Sequence, residues 1–343
     1  MHTGVGRYTR ELTTTLRMLG VDMRGYAVSL RGRSVEGVAR WRVPARAAQM
    51  AWYRFGRPTI AGLTGGADVV HATNFVLPPT GGAPGVVTVH DLSYERDDTW
   101  PGGERLRDLV PWSVQRAARV LVPTAVIGRE VVDRLRVDPK RVVVTYEGVA
   151  PAFFGATPLG DLALEGLGIS RPFALAAGTL EPRKNLGRLL EAWTRASLPG
   201  WQLVIAGPQG WGPAIPETPG VRLLGWLGDD TLPGLYAAAA LFCYPSLYEG
   251  FGLPPLEAMA TGTPAVVGRY SAAPEVLGDA ALMVDPTDAD AIADGLRRLA
   301  TDDALRGRLA AAGRVRAAGF TWERTARTTL DVYRAALEDE TVK

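Results

Sequence analysis

Residues 244–267 read YPSLYEGFGLPPLEAMATGTPAVV, and this stretch decides the fold. The apolar run 237–243 leads into it and ends like a buried strand. Pro245, Ser246, Gly250 and Gly252 follow, and the glycines let a backbone come close to a ligand. A helix is predicted next. Pro254 and Pro255 fit only its first turn, and Leu256, Met259 and Ala260 give it an apolar stripe. Gly262 ends it, Pro264 follows, and residues 265–267 open another strand. A strand, a glycine loop and a helix N-terminus in succession are how α/β proteins build an anion site.

Glu249 lies in the loop before this helix and Glu257 about one turn inside it. A carboxylate accepts two hydrogen bonds, and a vicinal diol offers two donors. A nucleotide sugar carries such diols on its ribose and on its hexose, with a diphosphate between them. Acids beside a phosphate cradle therefore suit hydroxyls better than phosphate. Spacing alone leaves another reading open, in which Glu257 is a helix-surface acid and Glu249 an ordinary loop acid.

The stretch resembles the Glu–seven-residues–Glu signature of the large retaining glycosyltransferase family that includes sucrose and glycogen synthases and many bacterial mannosyltransferases. The resemblance implies that Glu249 contacts the donor hexose and that Glu257 holds the ribose hydroxyls. It implies that the backbone of Phe251, Gly252 and Leu253 binds the diphosphate. It covers nearly the whole chain, weakly before residue 86 and strongly after residue 173. The implied fold is α/β of the GT-B type, with two Rossmann-like domains facing a cleft and a C-terminal helix crossing back to the first.

Bulk composition agrees with a two-domain globular chain: 343 residues, 47% hydrophobic and 22% charged. A formal charge of +2 is too small to argue for nucleic acid. The single cysteine, Cys243, excludes a disulfide framework and fits a reducing cytoplasm. His2, His71 and His90 are too scattered for a zinc site. No apolar run approaches the ~18 residues of a membrane span, and no secretory signal opens the chain.

The start MHTGVGRY reads as a glycine loop, Gly4-Val5-Gly6, running straight into a helix over 8–19. Such a loop normally follows a strand, and here none precedes it. Family members usually begin with that strand, so either the start is too late or the sheet lacks a strand. Residues 40–57 (RWRVPARAAQMAWYRFGR) interleave arginines with aromatics. That pattern suits an anionic membrane surface. It equally suits a helix that packs its aromatics on the sheet and turns its arginines to water.

DVVHA (68–72) and VVTVH (86–90) read as buried parallel strands. His90 and Asp91 end the second, at the edge that faces the ligand crevice in a doubly wound sheet. The resemblance places a His of a VHDLS stretch beside the donor sugar and the reacting oxygen, which assigns His90. His71 reads as structural. Helices over 103–117 and 126–136 and strands over 120–122 and 142–145 complete the first domain. Residues 151–172 carry several Gly and Pro and no clear period, so they read as the linker, with the first domain taken as 1–165, the second as 166–320 and the returning helix as 321–343.

The second domain opens with a strand over 173–177, then GTLEPRKN (178–185) and a helix over 186–196. Arg183 and Lys184 stand at that helix start, where cations are unfavourable against the dipole and an anion would compensate them. They read otherwise as two solvated surface cations. GTLEPRKN is similar to the family's diphosphate-binding loop, which assigns Gly178, Thr179, Arg183 and Lys184 to the donor. The turn Gly225-Trp226-Leu227-Gly228, with an N-capping Asp at 229 or 230, corresponds to the family turn against the nucleotide base, which assigns Leu227. Gly4 and Gly6 correspond to a further donor-side loop. YSAAPE (270–275) looks like a short loop that closes on the donor.

The expected reaction is transfer of a hexose from a nucleotide diphospho-sugar, with GDP-mannose the best match, to a hydroxyl of a glycan or lipid-linked saccharide. His90, Arg183, Lys184 and Glu249 are the expected catalytic groups. No acidic metal motif is visible, so no divalent ion is expected. No cofactor is expected either, because the nucleotide sugar is a substrate. Two rivals are a nucleotide-sugar epimerase of related fold and a non-catalytic donor-binding protein. The expected place of action is the cytoplasm, with peripheral contact at the inner face of the membrane as an alternative left open by residues 40–57.

Overall fold

A computed structural model describes residues 4–30 and 37–341, with side chains through residue 339. The chain forms two compact units, 1–146 with 322–343, and 147–321. The segment read as a linker, 151–172, belongs wholly to the second unit. Its Leu164 and Ile169 are buried, and the Leu159 amide donates to the Gly234 carbonyl at 3.0 Å. Gly and Pro there mark turns against the core rather than a free connection.

The second unit holds six parallel strands: β7 (Phe173–Ala177), β8 (Gln202–Ala206), β9 (Val221–Gly225), β10 (Leu241–Tyr244), β11 (Ala265–Gly268) and β12 (Leu282–Val284). Their order is β12-β11-β10-β7-β8-β9. Every residue of β7, β10 and β11 is buried, which explains their unbroken apolar sequence. The order reverses between β7 and β10. In a doubly wound sheet the loops leaving such a switch point form the ligand crevice. The loops leaving β7 and β10 are 178–185 and 245–252. Helix Leu186–Ala196 covers the sheet with Leu189, Leu190 and Trp193.

The first unit has a parallel four-stranded sheet, β3 (Val70–Ala72), β4 (Gly85–Thr88), β5 (Arg119–Val122) and β6 (Val142–Val144), in that order. A separate parallel pair joins β1 (Gly25–Val28) to β2 (Val38–Trp41). Helix Gly4–Met18 buries Tyr8, Leu12 and Leu16 against Trp322, Val332 and Tyr333 of helix Trp322–Thr341. So the C-terminal helix packs with the first unit although it follows the second in sequence.

Gly4 and Gly6 lie inside the first turns of helix Gly4–Met18, not in a loop before it. Neither has a positive φ among the described residues, so nothing diverts the backbone there and glycine continues the helix. The glycine-loop reading of these two positions is therefore corrected; Met1–Thr3 lie outside the described residues. A cavity of about 770 Å³ in the first unit is lined by residues that include Gly25, Tyr26, Val70 and Ala72.

Candidate active site

The switch-point loops of the second unit converge on one carboxylate. Glu249 Oε1 accepts from Lys184 Nζ at 2.6 Å, Tyr244 Oη at 2.8 Å and Ser246 Oγ at 2.8 Å. Its Oε2 accepts from the Arg183 guanidinium, which also donates to the Tyr248 carbonyl at 3.1 Å. Glu181 completes the cluster, 2.6 Å from Arg183 Nε and 3.7 Å from Lys184 Nζ. Lys184 Nζ donates to the Tyr244 hydroxyl at 2.6 Å, so that hydroxyl accepts from the lysine and donates to the glutamate.

Local folding explains the convergence. Pro182–Lys184 makes a single tight turn that ends at Asn185 in the left-handed region, φ 59°. Asn185 Nδ2 then donates to the carbonyls of Pro245 at 3.1 Å and Pro286 at 2.6 Å. The Leu247 amide donates to the Arg183 carbonyl at 2.8 Å. Backbone and amide bonds thus tie the loop after β7 to the loop after β10. At Gly207, after β8, a Cβ would lie 1.9 Å from the Gly178 carbonyl oxygen, so only glycine fits against that loop.

The electrostatics follow from burial and pairing. Burial alone would raise the Glu249 carboxyl, but the charges of Arg183 and Lys184 and the hydrogen bonds to it outweigh that and lower it to about 2. Burial pulls the Lys184 ammonium below the usual lysine range, aided by Arg183 and opposed by Glu249 and Glu181. Burial, then the Glu249 charge, pushes the Tyr244 phenol well up, so it stays protonated.

Two cations face two carboxylates, so the charges at the start of helix Leu186–Ala196 are balanced from within the protein. The dipole argument for an external anion does not hold by itself. The reading of Lys184 as a solvated surface cation does not hold either, because its side chain is only 9% exposed. Sequence reasoning missed Glu181, Tyr244 and Ser246 as members of the cluster. An acid beside a proline has no periodic signal, and the tyrosine read simply as the apolar end of a strand.

Glu257 is 2% exposed within helix Leu253–Thr261, which rules out a helix-surface acid. That helix begins at Gly252, φ 103°, with no side-chain cap. Phe251 and Leu253 are buried, and Phe251 meets Phe320 edge-on at 5.6 Å. Gly178 has φ 142°, with Thr179 beside it in the same loop. Leu227 is half-buried after β9. The N-cap of helix Leu232–Ala238 is Thr231 and not the expected Asp229 or Asp230, and Thr231 Oγ1 donates to Asp230 at 3.3 Å.

His90 belongs to the first unit, in the loop after β4. It is 8% exposed, its Nε2 donates to the Thr73 carbonyl at 2.9 Å, and its ring meets Tyr8 edge-on at 4.8 Å. His71 is structural: its ring nitrogens bond Tyr333 Oη at 2.6 Å and Thr88 Oγ1 at 2.8 Å, tying the C-terminal helix to β3 and β4. Burial, then the nearby His90, lowers it to about 3, so it is neutral. Of the aromatics in 40–57, Trp52 is buried, whereas Tyr53 and Phe55 on helix Ala45–Phe55 are exposed together with Met50. Packing on the sheet accounts for only part of that stretch.

Residues 165–316 match the family model described as "Glycosyl transferases group 1", and residues 2–153 match "Glycosyltransferase Family 4". The chain is 33% identical over 285 residues to the O-antigen chain mannosyltransferase B of Escherichia coli, covering 78% of this chain and 74% of that protein. It is 30% identical over 369 residues to a D-inositol 3-phosphate glycosyltransferase of Nocardioides, covering 96% and 80%. Among solved structures, sucrose-phosphate synthase from Thermosynechococcus elongatus superposes with a TM-score of 0.76 at 20% identity, covering 98% of this chain and 94% of that one. The structural likeness shows the fold, an α/β glycosyltransferase fold of the GT-B type.

Proposed function

This chain belongs to the group 1 glycosyl transferases, and from that premise we propose that it moves a mannosyl residue from GDP-mannose to a hydroxyl of a glycan or lipid-linked saccharide, with retained anomeric configuration and without a metal ion. Support for mannose is the likeness to O-antigen chain mannosyltransferase B. The observation that carries the reading is the clamp of Arg183 and Lys184 on Glu249 at the switch point of the second sheet, beside the N-terminus of helix Leu253–Thr261.

Transfer from a nucleotide sugar must stabilise a departing diphosphate while an oxocarbenium-like centre develops. Arg183, whose side chain keeps 20% exposure, and the amides opening helix Leu253–Thr261 would bind that diphosphate. Lys184 is held in place by Glu249 and adds its charge from behind. Glu249 Oε1 is filled by three donors, whereas Oε2 retains acceptor capacity for a hexose hydroxyl. Glu257 would hold the ribose hydroxyls, and His90 would serve as a further catalytic group. Fixed charge of this kind is worth roughly 10²–10³ in rate per group. The test is release of GDP from GDP-mannose with a mannose-terminated oligosaccharide in excess EDTA. Turnover should persist in the chelator and fall by about that factor in Arg183→Ala. Loss of wild-type turnover on chelation would remove the metal-free mechanism.

The exposed Met50, Tyr53 and Phe55, with Arg46 and Arg54 on the same helix, suit an anionic membrane surface carrying a lipid-linked acceptor. No helix among the described residues is long and apolar enough to cross a membrane.

A further inference from the structure

Tyr270 follows β11 and is 5% exposed. Its hydroxyl is buried and has no hydrogen-bond partner among the described residues. A tyrosine in that state is costly, because a phenylalanine would fill the same space without stripping water from a hydroxyl. The hydroxyl sits at the start of helix Leu253–Thr261: a Cβ built on Gly252 would lie 2.7 Å from it. The Tyr270 ring meets the Tyr244 ring edge-on at 6.4 Å, and Ser271 Oγ donates to the Glu249 carbonyl at 2.9 Å. The side chain is therefore fixed against the loop that holds Glu249. Burial, then the Glu249 charge, keeps its proton on well above the usual phenol range. It is a donor in wait of an acceptor, next to an uncapped helix N-terminus that favours anions.

We propose that the Tyr270 hydroxyl donates a hydrogen bond to the diphosphate of the nucleotide sugar, as a binding residue that completes the anion site at the N-terminus of helix Leu253–Thr261. The proposal rests on the donor site placed above in the second unit. It also accounts for Gly252: any side chain there would press on the hydroxyl and close the approach.

The experiment compares wild type with Tyr270→Phe, by ligand-free melting and by calorimetric titration with GDP, UDP, dTDP and ADP in EDTA. The expected result is a ligand-free Tm equal to or above wild type, with the preferred nucleoside diphosphate bound about tenfold or more weakly, the usual loss for a hydrogen bond to a charged acceptor. Unchanged affinity in Tyr270→Phe would overturn the role of Tyr270 and leave the donor site standing. A lowered ligand-free Tm would also overturn it, since the hydroxyl would then have a partner inside the protein. If wild type bound none of the four nucleotides, Tyr270 and the donor site would fall together.

Discussion

Lys184 donates through Nζ to Oε1 of Glu249 across 2.6 Å, with both side chains less than a tenth exposed. The two residues lie on loops that leave neighbouring strands, β7 and β10, where the strand order reverses. The pair therefore couples the architecture of the second unit to its chemistry: it closes the crevice loops on each other and fixes two cations at the mouth of a helix.

Glu249→Gln should destabilise the second unit, because Arg183 and Lys184 would lose a buried counter-charge that they share. Removing one partner of a buried pair typically costs about 3–5 kcal/mol. Urea unfolding followed by fluorescence would measure it; a loss below about 1 kcal/mol, the range of exposed pairs, would mean the cluster is effectively solvated.

Acid sensitivity should come in two windows. His71 is lowered from 6.5 to about 3 in the native state, so between those values the unfolded chain binds the proton and the native chain does not. Its contribution to stability is full above about 6.5 and is lost as pH falls toward 3. Glu249 is lowered from 4.5 to about 2, so its contribution is full above about 4.5 and is lost only below that. Melting at pH 7.5, 6 and 5 should show a decline that His71→Gln flattens. An equal slope in the variant would assign the decline elsewhere.

Gly207→Ala should disrupt the loop after β7. The backbone there has φ 155°, and the new Cβ would meet the Gly178 carbonyl at 1.9 Å. Backbone strain of this kind costs on the order of 1–3 kcal/mol before the clash is counted. The expected result is a lower Tm together with weaker nucleotide binding, and a variant that melts and binds like wild type would show that the two loops part easily.

Flotation with vesicles rich in anionic lipid tests the exposed face of helix Ala45–Phe55. Wild type should float at low salt and sink at high salt, because each basic residue near such a surface contributes about 1 kcal/mol that salt screens. Replacing Met50, Tyr53 and Phe55 by serine should reduce flotation at low salt. A protein that never floats would remove the membrane contact.

Much of the second unit was legible in the sequence because its strands β7, β10 and β11 are buried on both faces. Phe173–Ala177 and Leu186–Ala196 stand where apolar runs and periodicity placed them. The stretch 244–267 likewise gives a strand end, an uncapped helix N-terminus and a Gly262 stop, φ 83°. What stayed hidden was non-local. Glu181 and Glu249 share two cations across more than sixty residues of chain, which no window reveals. The stretch 270–275 reads as a loop that closes on the donor, but nothing in it distinguishes the Tyr270 hydroxyl until that hydroxyl is seen without a hydrogen-bond partner among the described residues. The 151–172 segment reads as a linker because turn residues look alike on a free connection and on a packed one.

Calorimetric titration of the purified chain with GDP-mannose in excess EDTA, beside Arg183→Ala, tests the donor site most directly. Saturable binding by wild type, at least about tenfold weaker in the variant, is the expected result for a charged hydrogen bond at the diphosphate. Equal binding by both proteins, or no binding of GDP-mannose or any other nucleotide sugar by folded wild type, would contradict it.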